Sequence, residues 1–96
     1  MFLIELTYTE SIEMIDQARN NHVKFLEKYY EKGVFIFSGP KIPREGGIIL
    51  AGNISKQELE TVIKEDPFYQ KELANYRIIE FNPTMFSNEI NTFFIK

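Results

Sequence analysis

Stretches with the period of a β-strand and stretches with the period of an α-helix alternate along this chain in one fixed order. Strand-like segments place apolar side chains at every second position, whereas helix-like segments place them at steps of three and four. The predicted strands are residues 2–8, 34–38, 48–51 and 76–81, and the predicted helices are residues 11–32 and a shorter one from Ser55 that breaks at Pro67. The order β-α-β-β-α-β is that of a ferredoxin-like α+β fold with an antiparallel four-stranded sheet.

Local signals support the predicted ends of the two helices. Gly33 follows Lys32 where the first helix should stop, and glycine is the preferred residue just after a helix C-terminus. Ser55-x-x-Glu58 is a capping box that opens the second helix. Pro67 ends that helix because the residue before a proline avoids the α region, and we expect one more turn or two of helix over residues 68–73. These signals favour helices of about the predicted lengths.

The strands are apolar on both sides, which constrains how this chain covers its sheet. Val34 and Ile36 should point to one face, and Phe35 and Phe37 to the other. Two helices cover only one side of a four-stranded sheet. The second face would be an aggregation risk if left exposed. We therefore expect a second copy of the chain to cover the face that bears Phe35 and Phe37, with the C-terminal tail as the competing or additional cover.

Composition excludes several classes of protein. The chain has 96 residues, 11 basic and 14 acidic, and no cysteine, so it predicts one globular domain without disulfides. No basic stripe supports a nucleic-acid partner. The apolar start is interrupted by Glu5, and no run approaches the ~20 apolar residues of a membrane helix. We expect a cytoplasmic protein with no membrane association.

The chain also lacks the usual sequence signals for a cofactor. With one histidine and no cysteine, a zinc or iron site is improbable, although carboxylates could hold magnesium weakly. No phosphate-binding or dinucleotide-binding glycine motif occurs. We expect neither a metal nor a cofactor.

His22 is the first candidate for chemistry. It falls in the apolar stripe of the first helix, four residues after Ala18 and four before Leu26. Histidine is the one side chain here whose unperturbed pKa lies near neutral pH. The alternative is a buried histidine that is only hydrogen-bonded to a backbone carbonyl.

Asp66 continues the inward face of the second helix and could reach His22. Its carboxylate would then orient the imidazole and stabilise its positive charge. Asp66 followed by Pro67 is also a common pair at a helix start, so it could simply cap the next turn. Both roles are compatible, since a carboxylate has two oxygens.

Arg19, Ser38 and Arg44 are candidates for binding a substrate. Arg19 lies one turn before His22 and could hold a carboxylate or enolate, or it could be a solvated surface charge. Ser38 could donate a hydrogen bond or be only a turn residue. Arg44 belongs to a loop over residues 41–47 that could cover an anionic ligand or be merely a mobile hairpin.

Five short motifs together resemble the YCII-related (YciI-like) family. They are Arg19-x-x-His22 before Phe25-Leu26, Gly33-x-Phe35-x-x-Ser38-Gly39-Pro40, Pro43-Arg44-x-Gly46-Gly47, Asp66-Pro67-Phe68, and Ala74-x-Tyr76 leading to Glu80-Phe81-x-Pro83. The resemblance implies a domain over residues 1–83 that pairs into a dimeric α/β barrel, with His22 and Asp66 as a catalytic pair. Residues 84–96 depart from the family as a longer tail, for which we expect docking on the sheet or the partner subunit.

Two functions fit these features. The first is a cofactor-free enzyme that transfers a proton on a small anionic organic molecule, as in isomerisation or elimination. The second is a non-catalytic homodimer that binds a ligand or a partner, with His22 and Asp66 in a structural network. A water-accessible pocket at His22 would favour the enzyme, and a dry, fully packed His22 would favour the module.

Overall fold

The computed structural model describes residues 1–90 and has the predicted element order, including a short turn of helix after Pro67. The elements are β1 (Phe2–Tyr8), α1 (Ile12–Glu31), β2 (Phe35–Pro40), β3 (Gly46–Ala51), α2 (Lys56–Ile63), α3 (Pro67–Gln70) and β4 (Ala74–Glu80). All strand pairs are antiparallel, and the sheet order is β2-β3-β1-β4. The ferredoxin-like α+β fold is therefore confirmed. Within the described residues, no helix has both the length and the apolar character needed to cross a membrane.

The long helix α1 is bounded as its sequence predicts. The Ser11 side chain accepts a hydrogen bond from the Met14 backbone N–H at the start of α1. Lys32 caps the other end, and Gly33 follows with a φ of 73°, which glycine adopts without steric cost. Between these ends, Ile15, Ala18, Phe25 and Tyr29 form the buried stripe that packs on the sheet.

The core lies between the helices and one face of the sheet. Ile4 from β1, Ile15 from α1 and Leu59 from α2 are fully buried. Each fully buried aliphatic side chain of this size contributes about 1.5–3 kcal/mol relative to its exposure to water. The inward positions alternate along β1 as predicted, so the register of the central strand follows from burial on one face.

The prediction that Phe35 and Phe37 share a face is wrong. Phe35 pairs with Ala51 but Phe37 pairs with Leu50, so β2 has one extra residue at this point. Such a β-bulge moves the next side chain to the opposite face of the sheet. Phe35 is buried against the rings of Phe25 and Tyr29. Phe37 lies on the face of the sheet that the helices do not cover, and it is 51% exposed.

The hairpin between β2 and β3 is tighter than predicted. β2 continues through Gly39-Pro40, and β3 begins at Gly46 rather than Ile48. The Lys41 backbone N–H donates to the Gly46 carbonyl, which leaves a short connection. β4 likewise begins at Ala74, two residues before the predicted start. Extended pairing therefore reaches further into the glycine- and proline-containing segments than composition alone suggests.

The described part of the tail, residues 81–90, contains no regular helix or strand. Asn82, Pro83 and Phe86 line an open cavity together with Met1 and Tyr30. The sequence Thr92-Phe93-Phe94-Ile95 has the composition of a β-strand, but it lies outside the described residues. Docking of the tail therefore stays a prediction.

Candidate functional site

His22 and Asp66 are in direct contact, as predicted. The distance from His22 Nδ1 to Asp66 Oδ1 is 2.8 Å, across a separation of 44 residues in the chain. The His22 side chain is 13% exposed, so it is neither fully packed nor freely solvated. Since an ionised carboxylate only accepts hydrogen bonds, Nδ1 carries the proton, and Nε2 is the ring nitrogen left for other partners.

Asp66 both caps α3 and binds His22, so the two predicted roles hold together. Its Oδ1 accepts from the Phe68 backbone N–H at 3.0 Å as well as from His22. Its Oδ2 accepts from the Tyr76 hydroxyl at 2.5 Å. The residue is fully buried, and a buried carboxylate is tolerated only when donors of this kind surround it.

Tyr76 is a member of this network that the sequence analysis did not propose as a site residue. It lies on β4 opposite Leu6 of β1, on the face that the helices cover. Burial, followed by the charge of Asp66, raises the pKa of Tyr76 well above its usual value, so the hydroxyl remains a donor. The alternation of β4, which puts Tyr76 on the same face as Ile78, was the signal that could have identified it.

Phe68 fixes the plane of the His22 ring. The two rings are stacked with centroids 4.0 Å apart and an interplanar angle of 9°. Phe68 is the second residue of α3, directly after Pro67, so the cap that positions Asp66 also positions this aromatic ring. The imidazole is therefore held by Asp66 through one nitrogen and by Phe68 across one face.

A cavity of about 150 Å³ lies beside His22, between α1 and the β2–β3 side of the sheet. Arg19, His22, Ser38 and Arg44 all line it, so four of the five predicted site residues meet at one place and Asp66 lies behind His22. The remaining lining is largely apolar and aromatic, with Leu6, Tyr8, Val23, Leu26 and Phe68 among its members.

Ser38 lies within β2 and is not the turn residue that one interpretation suggested. Its position pairs with Ile49, on the helix-covered face. Its Oγ is 2.5 Å from the Tyr30 hydroxyl of α1. Either oxygen can donate in this contact, so Ser38 can turn its own proton toward the cavity while accepting from Tyr30.

The positive side chains at the cavity differ in how they are neutralised. Arg44 Nη2 donates to Asp16 Oδ1 at 2.6 Å, and this hydrogen bond raises the pKa of Arg44. Lys41, in the same loop, is 3.1 Å from a Glu5 oxygen. Arg19 is exposed and makes no ion pair within residues 1–90. The cavity rim therefore carries one guanidinium group without a local counter-ion.

Residues 1–90 contain no group of three or more histidine, aspartate or glutamate side chains arranged to hold a metal ion. The arrangement present is instead a histidine bonded to a buried carboxylate beside a cavity. Ser38, Arg19 and Arg44 line the same cavity as His22 and supply a hydrogen-bond donor and positive charges there.

Comparison with known proteins agrees with this fold. A family model described as the YCII-related domain matches residues 1–82. No curated protein gives a match. Among solved structures, the chain is similar to 5-chloro-2-hydroxyhydroquinone dehydrochlorinase (TftG) from Burkholderia phenoliruptrix AC1100, solved in complex with 2,5-dihydroxybenzoquinone. The TM-score is 0.73 with 18% identity, over 84% of this chain and 92% of that chain, and at this identity the likeness shows a shared fold.

Proposed function

This chain belongs to the YCII-related domain family, and we propose that it is an enzyme that transfers a proton on a small anionic organic molecule. The observation that carries the proposal is His22, held by Asp66 at 2.8 Å on one ring nitrogen while the ring borders a cavity. A histidine that served packing alone would need no adjoining cavity.

In the proposed mechanism, His22 Nε2 is the atom that takes up and returns the proton. Asp66 accepts the Nδ1 hydrogen bond, which keeps the ring in the required tautomer and stabilises the imidazolium that forms. Tyr76 and the Phe68 N–H hold Asp66 in place. Arg19, Arg44 and Ser38, which line the cavity, would stabilise negative charge on the substrate as the proton leaves.

The dimensions and lining of the cavity support a substrate of about one ring. A cavity of about 150 Å³ has room for a molecule the size of benzene. Its apolar lining suits the ring, and its two arginines suit an ionised oxygen on that ring. The similar dehydrochlorinase was solved with a compound of this kind, 2,5-dihydroxybenzoquinone.

An isomerisation or an elimination fits these groups. His22 would remove a proton from carbon, and the electron pair of that bond would form a new double bond. In an isomerisation an adjacent double bond of the substrate opens at the same time, and its displaced electron pair takes the proton back from His22 at a different carbon. In an elimination a leaving group departs from the neighbouring carbon with its bonding electrons, and the proton is later released to solvent.

The alternative is a non-catalytic ligand-binding or interaction module. The satisfied network around Asp66 favours it, because hydrogen bonds from α1, α3 and β4 to one buried carboxylate would also serve as a structural connection. The partial exposure of His22 and the cavity beside it favour the enzyme. In both cases we propose a homodimer that covers the open face of the sheet.

Hydrogen–deuterium exchange at carbon tests the proposed function without knowledge of the full reaction. The purified protein is incubated in D₂O with a panel of small enolisable acids and hydroxylated quinones, and loss of each carbon-bound proton is followed by ¹H NMR. We expect the wild type to catalyse exchange for at least one ionised compound. The substitution His22→Asn should then lower the rate by about 10²–10⁴-fold.

Lys24→Gln is the matched control for this experiment. Lys24 lies on the same helix and is exposed, and it does not line the cavity. The control should keep the wild-type exchange rate. If compounds bind in the cavity but no exchange occurs, or if His22→Asn exchanges as fast as the wild type, the module is the correct function.

A further inference from the structure

Asp16 joins the β2–β3 loop to α1 at the edge of the cavity. Its Oδ1 accepts the 2.6 Å hydrogen bond from Arg44 Nη2, across 28 residues of sequence. Arg44 lines the cavity, whereas Asp16 lies just outside its lining. The Asp16 carboxylate thus takes up one hydrogen-bond donor of the Arg44 guanidinium group, which also faces the candidate substrate site.

The ion pair between Arg44 and Asp16 is exposed to water on both sides. The Arg44 and Asp16 side chains are 39% and 52% exposed. Ion pairs with this exposure contribute little net free energy, because water solvates both charges almost as well when they separate. A ligand oxygen that sits deeper, against the apolar lining, would meet Arg44 where water screens the charge less.

The charged side chains beside the cavity favour an anionic ligand. Arg19 lies three residues after Asp16, on the same side of α1, and has no ion-pair partner within the described chain. Lys41 is already neutralised by Glu5. Of the two guanidinium groups that line the cavity, Arg44 is therefore paired with Asp16 and Arg19 is unpaired within the described chain, so a ligand with one ionised oxygen would balance the charge.

We propose that Asp16 is a displaceable internal counter-ion of Arg44, and that an ionised ring oxygen or carboxylate of the ligand takes its place between Arg44 and Arg19. Asp16 is then a specificity-determining residue. Every anionic ligand must compete with it, so weakly binding anions are rejected, and a neutral compound gains nothing from either arginine. The inference rests on the proposed function only in taking this cavity as the substrate site.

Binding of two ring compounds tests the inference. Isothermal titration calorimetry at neutral pH measures the affinity of 2,5-dihydroxybenzoquinone, which is ionised, and of hydroquinone, which is neutral and of similar size. We expect Asp16→Asn to tighten binding of the ionised compound roughly two- to five-fold, which is the strength of an exposed ion pair. Arg44→Gln should weaken it, and neither substitution should change the affinity for hydroquinone.

Glu27→Gln is the matched control. It removes the same charge from the same helix, at an exposed position away from the cavity. If Glu27→Gln tightens binding as much as Asp16→Asn does, the effect is one of net charge and the inference is wrong. It is also wrong if Asp16→Asn leaves the affinity unchanged, or if the ionised compound binds no variant.

The same titrations in the His22→Asn background separate this inference from the proposed function. Proton transfer is not required for binding, so Asp16→Asn should tighten binding there by the same factor. If His22→Asn abolishes exchange but Asp16→Asn does not tighten binding, only the proposed role of Asp16 is contradicted. If Asp16→Asn tightens binding but the wild type exchanges no protons, only the proposed enzymatic function is contradicted.

Discussion

At the scale of single residues, Asp66 shows how one side chain joins local structure to a candidate site. The cap of α3 fixes one oxygen through the Phe68 N–H, and the same oxygen holds His22. The other oxygen depends on Tyr76. Because the carboxylate is fully buried, each lost donor leaves acceptor capacity that water does not reach.

Removal of the Tyr76 hydroxyl should therefore destabilise the protein. We expect Tyr76→Phe to lower the free energy of unfolding by about 1–3 kcal/mol, the range for a buried acceptor left without its donor. Urea denaturation followed by circular dichroism measures this. Tyr69→Phe, at a position that is 42% exposed, should change it by less than about 0.5 kcal/mol. Equal effects of the two substitutions would exclude the proposed importance of the Asp66 contact.

Tyr76 also predicts a dependence of stability on alkaline pH. Its pKa is raised in the folded state relative to the ordinary value of 10.0. A raised pKa gives stability that is fully present below pH 10 and is lost as the pH rises above it, because only the unfolded chain ionises easily there. The free energy of unfolding should fall less steeply above pH 10 in Tyr76→Phe than in the wild type. Some slope should remain, since burial also raises the pKa of Tyr29.

At the scale of elements, the β2–β3 hairpin positions the residues of the cavity rim. The bulge between Phe35 and Phe37 reverses the side-chain alternation, so that Phe35 enters the core and Ser38 faces the cavity. Without the extra residue, Ser38 would point to the opposite face. The hairpin also places Arg44 opposite α1, where it meets Asp16.

Gly46 is the position where this hairpin tolerates no side chain. A Cβ at Gly46 would stand 1.8 Å from the Leu6 carbonyl oxygen of β1. We expect Gly46→Ala to cost about 3 kcal/mol, at the upper end of the range for overpacking, because backbone must move. Gly39→Ala, where nothing lies within 4 Å of the added Cβ, is the control and should be nearly neutral. Thermal unfolding of the two variants measures the difference, and similar melting temperatures would contradict the proposed close approach.

At the scale of the whole molecule, one face of the sheet remains open. The strand registers align Phe37, Leu50, Leu3 and Ile79 in one apolar row across the four strands. Phe37 and Ile79 are 51% and 38% exposed. Contiguous apolar surface of this kind marks an interaction site more often than a solvated face.

We predict a homodimer through this open face, with Phe37 and not Phe35 at its surface. The interface should bury more than about 1,000 Å² in total. The substitution Phe37→Asp should shift the dimer toward monomer in sedimentation velocity at micromolar concentration. Met14→Asp, at an exposed position on α1, should leave the mass unchanged. A wild-type protein that sediments as a monomer would exclude this dimer.

The tail gives a second prediction at this scale. Two adjacent phenylalanines, Phe93 and Phe94, would be costly to leave in water, by about 1.5–3 kcal/mol for each ring that could be buried. We expect deletion of residues 84–96 to weaken dimerisation or lower the melting temperature. Calorimetry and sedimentation of the truncated protein measure both. An unchanged melting temperature together with an unchanged mass would leave the tail without a role in stability.

The sequence by itself determined the order of the elements and pointed to His22 and Asp66 as candidate site residues. Hydrophobic periodicity, helix capping and the torsional limits of Gly33 and Pro67 act between residues that are close in the chain. They can therefore be recognised without a structure. The same local signals placed His22 on an inward helical face and Asp66 at a helix start.

Tertiary structure alone decided which of these residues meet. Asp66 could equally have been a cap without a histidine partner, and only packing of α3 against α1 joined its two roles. The contacts of Tyr76 with Asp66 and of Asp16 with Arg44 likewise join different elements. The bulge in β2 depends on its register against β3, which no pattern within β2 specifies. These features arise from the mutual fit of distant segments, and periodicity carries no information about that fit.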